Sequence, residues 1–228
     1  MKPLAHGTYT MIAGVVYLAL VTNVLLVISC LPLVLLLITT DPARSWPLLA
    51  VALPFCAPGI SAAFATFREF GRAGVTPARA FLAGWRATWR RALLVGVGAT
   101  AVLVVLLADL KFFAESSVAV AVVPVIGVLT VMVVALALLS LVALADAPGA
   151  RLRDVIRASI YLSLRRWYLT VVSLAVIGTQ VVLFASMPAI ALGLTAAPAL
   201  YCAWANSRYT LRPVLTIDEV PALSPGHS

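Results

Sequence analysis

From Met11 to Ala205 the chain is a succession of long apolar runs almost without charge, separated by short intervals that hold most of its arginines. A helix needs roughly 20 apolar residues to cross about 30 Å of hydrocarbon. Six segments meet or approach that length: 11–38, 48–67, 92–113, 118–145, 169–187 and 188–205. The last two share only a tight turn at Ser186-Met187-Pro188 and would form a hairpin. Of the 228 residues, 63% are hydrophobic and 11% charged. Globular domains carry about a quarter charged residues, so a soluble fold of this length could not cover so much apolar surface. The expectation is an all-α polytopic membrane protein, a six-helix transmembrane bundle within residues 1–212 followed by a flexible tail over 213–228. The first run is much longer than a signal h-region and no small-residue cleavage site ends it, so it reads as a membrane anchor.

The charges give the orientation. With the N-terminus inside, the inner segments hold Lys2, then Arg68, Arg72, Arg79, Arg86, Arg90 and Arg91, then Arg151, Arg153, Arg157, Arg165 and Arg166, and finally Arg208 and Arg212. Only Arg44 and Lys111 fall outside. Basic residues in short loops stay in the cytoplasm, and an odd number of spans would put one cluster on the wrong side. Tyr9, Trp85, Trp89, Trp167, Tyr168, Trp204 and Tyr209 gather at predicted inner ends, with Trp46, Phe112 and Phe113 at outer ones. Amphipathic rings settle at the headgroup level. The chain is expected in the bacterial inner (cytoplasmic) membrane with both termini in the cytoplasm. A net charge of +8 and a pI near 10.0 are then a topology signal with a secondary attraction to anionic lipid. They do not mark a nucleic-acid binder, whose charge would line one soluble face.

The basic loops carry helical signals of their own. In the segment from Thr76 to Arg91, Thr76 suits an N-cap and Pro77 the first helical position. At 100° per residue Phe81, Leu82, Trp85 and Trp89 share one face, with Arg79, Arg86 and Arg90 beside it. That pattern predicts a basic amphipathic helix lying under the headgroups, and it makes Arg79, Trp85, Arg86, Trp89, Arg90 and Arg91 candidates for lipid or partner contact. A second basic helix is expected after the Ala147-Pro148-Gly149 turn. Arg90-Arg91 and Arg165-Arg166 each precede an apolar run and lie 75 residues apart, which suggests a weak repeat of two related hairpins.

Catalytic chemistry finds no residues to work with. Cys30, Cys56 and Cys202 lie in apolar stretches without metal or redox spacing, and His6 and His227 lie in the terminal segments. Gly96-Val97-Gly98 sits inside an apolar run with no strand before it, so it is no dinucleotide fingerprint. A phosphate loop, paired carboxylates and a nucleophile elbow are all missing from the sequence. No catalytic, cofactor-binding or metal-binding residue is predicted, and no cofactor.

Polar groups inside the apolar runs are few, and Asn23 and Gln180 most need a partner there. The second run is interrupted by Pro54 and Pro58-Gly59, which free backbone carbonyls. Broken helices form midplane binding sites in transporters, so Asn23, Pro54, Pro58, Gly59 and Ser61 are a candidate polar, broken-helix site. The alternative is an ordinary kink in a packed helix. Ala57, Ser61 and Ala65 recur every fourth residue and read first as a packing seam, as do Ala191, Thr195, Ala199 and Ala203.

Asn23 with Leu31-Pro32, then Pro58 to Phe64, then the aromatic–basic stretch from Phe81 to Arg91, follow one another in an order that resembles the YesL-like family of bacterial integral membrane proteins, which carry a domain of unknown function. The long stretch from Leu33 to Leu53 departs from that family's pattern. The resemblance implies an accessory membrane subunit associated with carbohydrate ABC uptake, with a permease as partner beside the lipid bilayer, and it carries over no catalytic residue. Two further readings stand beside it: a small secondary transporter using the broken second span and Asn23, and a lipid-interacting or sensory protein. An ABC permease proper is disfavoured, because Glu69-Phe70-Gly71 is only a faint echo of an ATPase-coupling segment.

Overall fold

The computed structural model describes residues 3–41, 44–70, 75–149 and 195–215, with 153, 156–157, 175–176, 178–180, 182–183 and 187; for 3–11 and 208–215 only the backbone is described. Every described element is helical. In chain order they are α1 (Pro3–Ser29), α2 (Leu31–Thr39), α3 (Trp46–Ala52), a 3-10 turn (Leu53–Phe55), α4 (Cys56–Glu69), α5 (Pro77–Phe113), α6 (Ala119–Asp146) and α7 (Ala196–Leu215). Four stretches are long and apolar enough to cross a membrane: Ile12–Ser29, Trp46–Glu69, Pro77–Phe113 and Ala119–Asp146. They coincide with the first four predicted spans. The fifth span, the Ser186–Pro188 hairpin turn, residues 188–194 of the sixth span and nearly all of the second basic loop lie outside the described residues. So do residues 216–228 of the expected tail; α7 itself runs through Pro213 to Leu215.

The first predicted span is not one rod. Pro32 has no N–H to offer the preceding turn, and helix α1 ends at Ser29, with Cys30 at the joint before α2. The second span also changes geometry, at Pro54, where a 3-10 turn joins α3 to α4. Pro58 and Gly59 do not interrupt it. Both fall in the first turn of α4, where a missing N–H costs little, and the helix continues through them.

The largest departure is α5. The predicted interfacial helix and the predicted third span form one helix of 37 residues. At 1.5 Å per residue that is about 55 Å, well beyond the ~30 Å of a hydrocarbon core. Thr76 does stand at the N-cap position with extended backbone, and Pro77 does open the helix, although the Thr76 hydroxyl makes no cap bond. Nothing between Arg91 and Ala92 stops a helix, since Trp89-Arg90-Arg91-Ala92-Leu93 contains no Gly, Pro or β-branched residue. The basic segment therefore stays collinear with the span instead of turning to lie flat.

Helix α4 is the centre of the bundle: every residue from Cys56 to Phe67 except the half-buried Ile60 is buried. It packs most extensively on α5, then on α6, α1 and α7. The contacts fix which helix ends lie together. Tyr17 of α1, Glu69 of α4 and Pro77 of α5 border one cleft, Arg68 reaches the last carbonyls of α6, and Arg91 reaches the Pro148 carbonyl in the turn that follows it. Arg68, Arg79, Arg86, Arg90 and Arg91 thus gather at one end of the bundle, while Arg44 and Lys111 sit on elements at the other.

Candidate functional site

The predicted broken-helix residues are all buried, and Asn23, Pro54, Gly59 and Ser61 are each occupied in a helix–helix seam. Gly59 lies against Ser29, where an added Cβ would collide with that side chain. Pro54 lies against Gly96 of α5, so closely that a Cβ on Gly96 would stand 2.9 Å from the Pro54 carbonyl oxygen. Ser61 Oγ and Thr88 Oγ1 are 3.1 Å apart in a buried hydrogen bond, and Thr88 also donates to the Gly84 carbonyl at 2.9 Å. Asn23 Oδ1 accepts the Ala197 N–H of α7 at 2.7 Å. Asn23 and Ser61 therefore serve different seams, and none of the five residues lines either of the two clefts at the arginine-rich end of the described bundle. Of the other buried polar groups, Thr66 and Ser140 return to carbonyls of their own helices. The Thr22 hydroxyl lacks a hydrogen-bond partner among the described residues.

The small-residue stripe of α4 is real and has a counterpart that sequence reading missed. Gly84, Thr88, Ala92 and Gly96 recur every fourth residue and face Ala62, Ala65, Ser61, Ala57 and Pro54. Without Cβ atoms at 84 and 96 the backbones approach closely, and this is how helices gain dispersion contact in lipid, where apolar surface alone gives no drive to associate. The signal was available as a small-xxx-small pattern running through the aromatic–basic segment into the third span. It was hidden because that segment was read as a separate helix.

The same packing corrects the predicted aromatic face. Phe81 turns inward and is buried, whereas Leu82, Trp85 and Trp89 point away from the bundle at 48%, 38% and 39% exposure. Trp85 and Trp89 stack with ring centroids 6.2 Å apart and 13° between planes. The Arg90 guanidinium lies 5.3 Å from the centroid of the Trp89 ring, an arrangement that contributes about 0.5–1 kcal/mol at an exposed site. Arg79, Arg86 and Arg90 are exposed. Arg91 is not part of that surface, because its Nη1 donates to the Pro148 carbonyl at 2.6 Å.

Arg68 performs the same task one helix away. Its Nη1 donates to the carbonyls of Ala145 and Asp146, the latter at 3.1 Å, and its Nη2 pairs with Glu69 Oε1 at 3.1 Å. Two guanidinium groups thus cover the end of α6, where unbonded carbonyls and the helix dipole favour positive charge. Around them opens a cleft of about 450 Å³ between α4, α5 and α6, with Ala65, Arg68, Glu69, Arg79, Gly84, Thr88, Ala145 and Pro148 in its wall. A neighbouring cleft of about 250 Å³ is bordered by Tyr17, Thr66, Glu69, Phe70 and Pro77. Alanine is the commonest residue in the wall of the larger cleft, Arg68 is already bonded, and Glu69 is held in its ion pair. No group of three metal-ligating side chains occurs among the described residues.

Compared with protein-family models, curated proteins and solved structures, the chain matches none. What it does must therefore be argued from this geometry: a sealed, small-residue core, and an arginine-rich end from which a long helix projects with two stacked tryptophans.

Proposed function

We propose that the chain is a non-catalytic integral protein of the bacterial inner membrane, with six spans and both termini inside. In this reading it is an accessory subunit for a carbohydrate ABC uptake system. The resemblance of the Asn23, Pro58–Phe64 and Phe81–Arg91 segments to the YesL-like family supplies the partner class. The observation that carries the accessory role is the condition of the polar groups. Asn23 and Ser61, which a transport path would keep in contact with water, are bonded to Ala197 and Thr88 inside helix seams. The exposed surface sits instead on the overhang of α5, at Leu82, Trp85, Trp89 and Arg90.

Affinity capture from native membranes, paired with sugar-uptake assays in a deletion strain, tests this directly. A permease or solute-binding protein is expected to co-purify, with uptake impaired in the deletion and restored by the wild-type chain but not by Trp85→Ala/Trp89→Ala. Transport of a sugar, ion or lipid by the purified protein alone in vesicles would replace the accessory role with that of a transporter. The stacked tryptophans with Arg90 also favour a second reading, contact with anionic headgroups. In that case the same double substitution weakens association with anionic lipid and leaves uptake intact.

A further inference from the structure

The larger cleft at the arginine-rich end differs from the tryptophan surface in both place and chemistry. At 100° per residue its α5 residues Ala83 and Ala87 fall on the flank opposite Trp85 and Trp89. Ala83 and Ala87 are exposed while Ala65, Ala80, Thr88 and Ala145 are buried, so the cleft runs from the surface in to the α4–α5 seam. It also lies where apolar helix gives way to charge: α4 passes from Phe67 to Arg68, and α6, uncharged from Ala119 to Ala145, reaches Asp146. That is the level at which hydrocarbon ends and headgroups begin. Three charged side chains stand in the wall, Arg68, Glu69 and Arg79. Arg68 is held by Glu69 and by the α6 carbonyls, and the charges of that pair cancel. Arg79 is exposed and takes no ion pair or hydrogen bond among the described residues. The wall therefore keeps one net positive charge beside its alanines.

We propose that this cleft is a binding site for the phosphodiester of an anionic phospholipid, with Arg79 as the residue that holds it. A guanidinium is planar and donates two parallel N–H bonds to two oxygens of one phosphate, and a phosphodiester carries the single negative charge that Arg79 lacks. Basic pockets between membrane helices take lipid headgroups in this way. A volume of about 450 Å³ is in the range of small-molecule sites. It admits the phosphate with its glycerol unit against the apolar walls of Ala65, Ala80, Ala83 and Ala87. Choline and ethanolamine headgroups carry an ammonium as well, and the carboxylate in the wall, Glu69, is already committed to Arg68. The site thus selects net negative charge over a zwitterion. It depends neither on the accessory role nor on which side of the membrane the arginines face.

Native mass spectrometry of the full chain in detergent, titrated with phosphatidylglycerol or phosphatidylcholine, tests this. Phosphatidylglycerol is expected to stay bound, one per chain, at concentrations where phosphatidylcholine does not. Arg79→Gln should weaken it about fivefold. Ala83→Phe, which fills the mouth of the cleft from an exposed position, should abolish it. Trp85→Ala/Trp89→Ala should leave it unchanged, because those rings stand on the other flank. Each variant is first matched to the wild type in thermal midpoint, and Ala87→Phe serves as the plug if Ala83→Phe does not fold. Equal binding of the two lipids overturns the proposal, as does phosphatidylglycerol binding that survives both Arg79→Gln and the plug. Loss with the tryptophan pair in place of Arg79 would move the lipid to the α5 surface and overturn the cleft. Displacement of the lipid by inorganic phosphate would overturn the lipid assignment, since the free ion makes no use of the apolar walls.

Discussion

Gly96 shows how much of this protein rests on the absence of a single carbon. A methyl there would stand 2.9 Å from the Pro54 oxygen and 3.1 Å from its Cα, both backbone atoms that cannot step aside. Gly98, two residues on, faces open space. Gly96→Ala should therefore cost about 1–3 kcal/mol through overpacking, while Gly98→Ala should cost nothing, and unfolding of the two variants in the same detergent separates them. Asn23 offers a second test at this scale. Asn23→Leu keeps the branched outline of the side chain but removes the acceptor for the Ala197 N–H. Interhelical hydrogen bonds in membranes are worth about 0.6 kcal/mol on average and up to about 1.7, and burial of Asn23 at 1% exposure places this one toward the upper value. A loss below the average, read as a change in thermal midpoint, would mean that the amide is dispensable to the α1–α7 seam.

At the scale of elements, α5 decides the architecture. Spin labels at positions 78 and 108, thirty residues apart, should lie about 45 Å apart if the helix is continuous, against nearer 30 Å if the basic segment turned at Arg91 to lie flat. Dipolar distance measurement in nanodiscs gives the answer. The capping arginines make a further prediction. Arg68→Gln and Arg91→Gln each withdraw positive charge from the end of α6, at a cost of about 0.3–1 kcal/mol from the helix dipole alone. The double variant should show faster amide exchange over Leu144–Asp146 than either single one.

Much of this level was legible in the sequence. Apolar run length placed the first four spans, and Pro54 marked the change of helix geometry in the second, whereas the first was expected as one run and breaks before Pro32. Thr76-Pro77 marked the start of α5 to the residue. Two things were not legible. Whether Arg91 meets lipid or a neighbouring carbonyl depends on where α6 ends in space, which no local pattern records. Phe81 and Trp85 sit on adjacent parts of one helical wheel, and only contact with α4 decides that the first turns inward and the second outward.

For the whole molecule, the gathering of Arg68, Arg79, Arg86, Arg90 and Arg91 at one end turns the charge asymmetry of the sequence into a geometric one. Cytoplasmic reporters fused after Arg79 and exported reporters fused after Arg44 should both be active, and the reverse pattern would invert the bundle. The length of α5 then has a mechanical corollary. A span of about 20 residues reaching back from Phe113 leaves some 17 residues, or about 25 Å, beyond the hydrocarbon. Because the rod is unbroken at the boundary, a 10° change of tilt within the bilayer would sweep its tip sideways by roughly 4 Å. The stacked tryptophans ride on that lever arm, so a slight lean among the membrane helices is amplified into a displacement at the arginine-rich end.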